Sequence, residues 1–95
     1  MTTEDKELLR QAVLETLASS YPVPRTEAAL TRLAQRQVPA GVLETDVLAA
    51  LHILKQLALA EFTFDTLGST RWWTATAAGV LQIERSVFPP PRNHN

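Results

Sequence analysis

The sequence predicts a mainly α domain with one small β-hairpin, its elements in the order α-α-α-β-β-α. Three observations predict it. Apolar residues recur at helical spacing in three successive stretches, the last running from Val47 to Leu57. The period then drops to two at Phe62-Thr63-Phe64-Asp65, and an aromatic return segment, Thr70-Arg71-Trp72-Trp73-Thr74, follows a glycine turn. Thr76 then opens a final apolar helix.

The first helix starts at Thr3 as N-cap. Glu4 and Asp5 place negative charge in its first turn, where the helix dipole favours it. Leu9, Val13 and Leu17 form its apolar stripe, widened by Leu14 and Ala18 and flanked by Leu8 and Ala12. Ser19-Ser20-Tyr21-Pro22 ends it, because the residue before a proline is pushed out of the helical region. Pro22-Val23-Pro24 is an extended link that can offer one edge-strand pairing.

Thr26 caps a second helix that ends near Gln37, with Leu30, Leu33 and Ala34 on its buried side. Arg32 and Arg36 share another face, and Arg25 stands just before the helix. These arginines read either as a solvated face or as a phosphate-contacting edge. Val38-Pro39-Ala40-Gly41 is a turn. The third helix starts near Glu44 or Thr45. It presents Val47, Ala50, Leu51, Leu54, Leu57 and Ala58 on one face, and Leu48, Ala49, His52, Lys55 and Gln56 on the other.

The hairpin turns at Thr66-Leu67-Gly68-Ser69, where Gly68 is free to take positive φ. Adjacent tryptophans on a strand face opposite sides. Parity with Thr70 and Thr74 predicts Trp72 toward the core and Trp73 outward. In the fourth helix, Ala77 to about Arg85, Val80, Leu81 and Ile83–Glu84 form the buried side, and Gly79 allows a close backbone approach. Residues 1–88 form one domain. The polyproline-bearing tail, 89–95, is a flexible stub, and Val87 and Phe88 just before it fold back onto the body.

The totals narrow the function. A chain of 95 residues buries roughly 60–65% of the surface its unfolded form exposes, enough for one modest core. With 45% hydrophobic and 20% charged residues it has the balance of a soluble globular domain. The absence of cysteine excludes disulfides and thiolate metal sites. The acidic N-terminus is unlike a signal peptide, and no apolar run reaches the roughly 20 residues a bilayer span needs; a cytoplasmic protein is expected.

No catalytic constellation is present. His52 and His94 have no nucleophile or carboxylate at a telling spacing, and Asp46 is poorly placed to share a metal with His52. Glycine is scarce, so no phosphate-cradling loop exists. The reading is not an enzyme, with no cofactor and no metal. Trp72-Trp73 can be a base-stacking platform, but with only Arg71 nearby a core tryptophan beside a sheet-covering one is favoured.

The span from Val47 to Gly79 carries a resemblance. A helix leads through Leu59-x-x-Phe62 into the hairpin, then an aromatic strand runs into Thr74-x-x-x-x-Gly79. This layout resembles the winged helix-turn-helix superfamily, in outline the MarR- and ArsR-type regulators. It is more similar still to the short winged-helix proteins of Mu-like phages and prophages in length, in spacing through the glycine turn, and in a proline-bearing tail after Glu84-Arg85. The resemblance implies a recognition helix at 44–57, a wing, and a DNA-binding regulator of phage type, dimerised through the first and fourth helices.

The charges qualify that expectation. A net charge of −1 is unlike a typical DNA-binding domain, whose affinity comes from lysine and arginine on phosphates. The start of the recognition helix, Glu44-Thr45-Asp46-Val47-Leu48-Ala49, is acidic and apolar, and from 44 to 66 one lysine faces four acids. If double-stranded DNA is bound, Thr45, Leu48, Ala49 and His52 are placed for the groove, and Arg25, Arg32, Arg36, Lys55 and Arg71 for phosphates. The alternative is a winged-helix protein–protein interaction module, an adaptor or dimerisation unit using Leu48, Ala49 and Ile53 or the first and fourth helices.

Overall fold

The computed structural model describes residues 1–87 and contains four helices and a three-stranded antiparallel sheet among them. The order is α1 (Thr3–Ser20), β1 (Arg25–Thr26), α2 (Glu27–Gln37), α3 (Glu44–Gln56), β2 (Ala60–Phe64), β3 (Arg71–Ala75) and α4 (Ala77–Val87). The sheet order is β1-β3-β2. This is a mainly α domain with a β-hairpin wing in the expected α-α-α-β-β-α arrangement. Phe88 and the tail at 89–95, with His94, lie outside the described residues, and so does the fold-back expected at Phe88.

α1 is capped one residue earlier than expected, by Thr2. The Thr2 hydroxyl accepts the Asp5 N–H at 3.1 Å, and the Asp5 carboxylate accepts the Thr2 N–H at 3.2 Å. The reciprocal pair satisfies two donors, which a cap at Thr3 would not have allowed with Asp5. The helix stops at Ser20, before Pro22. The strand pairing expected of the proline link falls just beyond it, at Arg25–Thr26 against Trp73 and Trp72, because prolines bring no N–H to a ladder. The Thr26 hydroxyl accepts the Ala29 N–H and starts α2 as expected.

The end of α3 differs from the sequence reading. Helical phase puts Leu57 and Ala58 on the buried face, yet both are exposed. The helix closes at Gln56, and Ala58 takes a left-handed conformation at φ 60°. The Leu59 N–H then bonds the Leu54 carbonyl at 2.9 Å, and the Ala58 N–H bonds that of Lys55 at 3.0 Å. This paired closure, usually built on glycine, drops Leu59 into the core in place of Leu57.

The two tryptophans are the reverse of the parity expectation. Trp73 is completely buried and Trp72 is 36% exposed. The register explains it. Trp73 lies opposite Phe62 on β2, and Ala75 opposite Ala60, so one face of the sheet carries Ala60, Phe62, Trp73 and Ala75 toward the helices. Trp72 lies opposite Thr63 on the other face. Thr74 shares that outer face, opposite Glu61.

α4 is capped by Thr76, whose hydroxyl accepts the Gly79 N–H at 3.1 Å and donates to the Ala58 carbonyl at 2.7 Å. The helix runs on to Val87, two residues past the expected end. Val80 and Ile83 pack on the core, but Leu81 and Glu84 are exposed, against expectation. With Gly79 buried, the contact face is 79, 80 and 83, and it leaves 81 and 84 outside. One hydrophobic cluster, centred on Leu9, Leu14 and Leu17 of α1, Leu30 of α2, Val47 and Leu51 of α3 and Trp73, packs the four helices against β2 and β3.

Candidate nucleic-acid interface

α3 buries Val47, Ala50, Leu51 and Leu54 and exposes Thr45, Ala49, His52 and Lys55, with Leu48 half-buried. Two of the acids that weigh against DNA have structural partners. The Asp46 carboxylate accepts the Leu43 N–H at 2.9 Å, closing the helix start where Leu43 has no capping side chain. In the wing, the Asp65 carboxylate accepts two backbone donors, the Leu67 and Ser69 N–H groups, each at 3.1 Å. Gly68, at φ 74°, sends its N–H to the Asp65 carbonyl at 2.9 Å. Both carboxylates therefore hold local backbone in place besides carrying their charge. Glu44 and Glu61 remain as outward acids.

The third helix and the wing meet over an aromatic pair. Phe62 and Trp73 have ring centroids 4.9 Å apart, and Phe64 stands edge-on to Phe62 at 5.4 Å. His52 approaches Trp73 edge-on at 6.2 Å. The Lys55 ammonium and the Arg71 guanidinium each lie 5.8 Å from the Phe62 ring centre, within reach of a cation–π attraction. Three of the predicted contact residues, His52, Lys55 and Arg71, are thus gathered around one seam.

Arg71 is also held by a carboxylate. Its Nε lies 2.7 Å from Glu27 Oε2, and its Nη2 donates to Glu27 Oε1 at 3.1 Å. The Trp73 indole N–H donates to Glu27 Oε2 at 2.9 Å. Glu27 sits in the first turn of α2, so this one side chain ties that turn to the wing. It is the one ion pair among the described residues. By sequence Glu27 is only a first-turn acid. Its partners are 44 and 46 positions away, and no local pattern announces them.

The other arginines are placed differently. Arg32 and Arg36 are exposed on α2. Arg25 is exposed on β1 and donates from Nε to the Ser20 hydroxyl at 3.0 Å, which leaves most of its guanidinium to solvent. Gln35 donates to the Val42 carbonyl at 2.9 Å, fixing the turn between α2 and α3. A shallow concavity opens between the start of α2, the start of α3 and the wing; Glu27, Glu44, Phe64 and Arg71 line it.

No group of three or more histidine, aspartate or glutamate side chains able to hold a metal ion occurs among the described residues, and the chain has no cysteine. No helix among the described residues is long and apolar enough to cross a membrane. No protein-family profile matches the chain, and neither a curated protein nor a solved structure matches it significantly. The class is therefore defined by architecture: a compact winged-helix-like domain in general, with helices packed on a small antiparallel hairpin.

Proposed function

We propose that the chain is a small winged-helix DNA-binding regulator, of the kind phages and prophages carry, that holds duplex DNA mainly through the arginines of the β1–α2 segment. The observation that supports this is the exposure of Arg25, Arg32 and Arg36 on the segment that crosses the phosphate backbone in this docking geometry. α3 then lies in the major groove by shape. Thr45, Ala49 and His52 let it approach closely, but they offer few of the paired donors and acceptors that read base edges. Lys55 reaches a phosphate from the seam with the wing. Sequence discrimination is weak in this reading, and affinity is strongly salt-dependent.

The test is fluorescence anisotropy on a random duplex over a salt series. Four phosphate contacts per copy give a slope of log K against log salt of about −3.6. Arg32→Glu with Arg36→Glu removes binding while leaving the melting temperature unchanged. Absence of wild-type binding at about 10 μM protein in roughly 50 mM salt ends the proposal.

A second reading has its own observation. Between α1 and α3 runs a groove floored by Leu9, Ala49, Ala50 and Ile53, and Ile53 is 37% exposed. In a protein-interaction module this apolar floor, with Leu48 beside it, takes up a partner. Ile53→Glu distinguishes the two readings: it abolishes association measured by light scattering in the second, and leaves the salt slope of DNA binding intact in the first.

A further inference from the structure

We infer that Glu27 is an autoinhibitory latch, an internal stand-in for phosphate that keeps the wing's one cation, Arg71, off the DNA. The inference rests on the DNA-binding reading and adds to it a reason why the wing contributes little. A guanidinium engages carboxylate and phosphate oxygens with the same two-pronged geometry. In this structure both prongs are filled, by Nε to Oε2 at 2.7 Å and Nη2 to Oε1 at 3.1 Å. The Glu27 side chain is 17% exposed and that of Arg71 30% exposed, so the acid is the more sheltered partner and the base the more accessible one.

Three further features make the contact a latch and not a passing surface pair. Glu27 is anchored from a second direction by the indole N–H of Trp73 at 2.9 Å, and Trp73 is completely buried. Its carboxylate therefore keeps a second hold when Arg71 swings out. The Arg71 guanidinium also lies 5.8 Å from the Phe62 ring centre, within reach of a cation–π attraction. The pair also lies in the open concavity between the starts of α2 and α3 and the wing, which Glu44 lines as well. That is where the backbone of a docked duplex passes between recognition helix and wing. An incoming phosphate meets a cation already occupied, beside an acid that repels it.

Release of the latch is an exchange of one oxyanion for another at Arg71. It requires that Glu27 lose its charge or its hold. Glu27→Gln does this with little disturbance, because the amide oxygen still accepts the Trp73 N–H while the charge that holds Arg71 is gone.

The experiment uses the full chain, duplex DNA of random sequence, and four proteins: wild type, Glu27→Gln, Arg71→Gln, and the double variant. Anisotropy titrations are run over a salt series, with the thermal melt followed by far-ultraviolet circular dichroism as the check on folding. Glu27→Gln is expected to bind several-fold more tightly and to steepen the salt slope by about 0.9, the increment of one added phosphate contact. Arg71→Gln in the wild-type background leaves the salt slope unchanged, and in the Glu27→Gln background it abolishes the gain. If Arg71→Gln alone weakens wild-type binding and flattens the slope, Arg71 already touches phosphate and the latch is wrong. That outcome overturns the latch even should Glu27→Gln fail to fold. Wild-type binding that Glu27→Gln leaves unchanged, or a gain that survives Arg71→Gln, removes the latch but keeps the DNA reading. No binding by wild type removes both.

Discussion

Gly79 lies directly against the carbonyl oxygen of Leu59: a Cβ at this position would overlap that oxygen and press on Leu14 Cδ1 at 3.2 Å. The contact joins the first turn of α4 to the residue that closes α3. It stands beside the Thr76 hydrogen bonds to the Ala58 and Leu59 carbonyls. The third and fourth helices are thereby fixed to each other through the backbone, with the hairpin looped out between them.

The contact predicts that Gly79→Ala is destabilising even though alanine is the better helix former. The lost clearance sits under backbone, which cannot yield as a side chain would, so about 2–4 kcal/mol is expected. Urea unfolding of Gly79→Ala beside Ala78→Gly checks it. Ala78 is exposed, and its change should cost only about 1 kcal/mol, the ordinary helix-propensity difference. A Gly79 variant no less stable than the Ala78 one would contradict the close approach.

Ala58 gives a prediction of opposite sign. It holds φ 60° at the end of α3, where a Cβ costs roughly 1 kcal/mol relative to glycine. Ala58→Gly should raise the urea midpoint by the equivalent of about 0.5–1 kcal/mol. Ala58→Val should lower it by roughly 1 kcal/mol or more, since β-branched residues tolerate this region worst.

The two tryptophans separate in fluorescence. Trp72→Phe leaves Trp73 as the sole emitter, buried and hydrogen-bonded to Glu27, so emission stays blue-shifted. Stability then moves by no more than about 0.5 kcal/mol, as for most surface changes. Trp73→Phe leaves a solvent-facing emitter with a red-shifted maximum. It also strips Glu27 of one donor and opens a gap, at a cost of about 2–4 kcal/mol. The reverse spectra would overturn the register of the hairpin.

Dimerisation through α1 and α4 is the association we propose. Those helices expose Leu8 at 56% and Leu81 at 44%. Leu8→Glu with Leu81→Glu should convert a dimer to a monomer in light scattering and flatten the salt slope of DNA binding to that of one copy. A doubly substituted protein of unchanged mass would exclude these helices.

The sequence made the architecture legible because the fold's own signals are local. Period 3.6 giving way to period two, Thr26 and Thr76 as caps, Pro22 as a stop and Gly79 as a close approach are all read within a few residues of themselves. The inaccurate readings have a common physical source. Leu57 and Ala58 look like the next turn of an apolar face, but the left-handed closure at Ala58 is decided by where Leu59 can be buried. Trp72 and Trp73 are equivalent by local pattern, and only the partner strand and Glu27 distinguish them. For the candidate interface, exposure of Arg25, Arg32, Thr45 and His52 follows from helical phase and from position at a helix start. The capture of Arg71 by a residue 44 positions away does not.

The wing loop carries a consequence for change in this molecule. Its path is written by Asp65, which gathers the Leu67 and Ser69 amides, and by the positive φ of Gly68. Leu67, at the tip, is 90% exposed and contributes only its amide, and the exposed Thr66 beside it is equally outside the core. The hairpin is thus a fixed socket with an interchangeable bit. A lineage, or a designer, can rewrite positions 66 and 67 to suit a new target without renegotiating the scaffold beneath them.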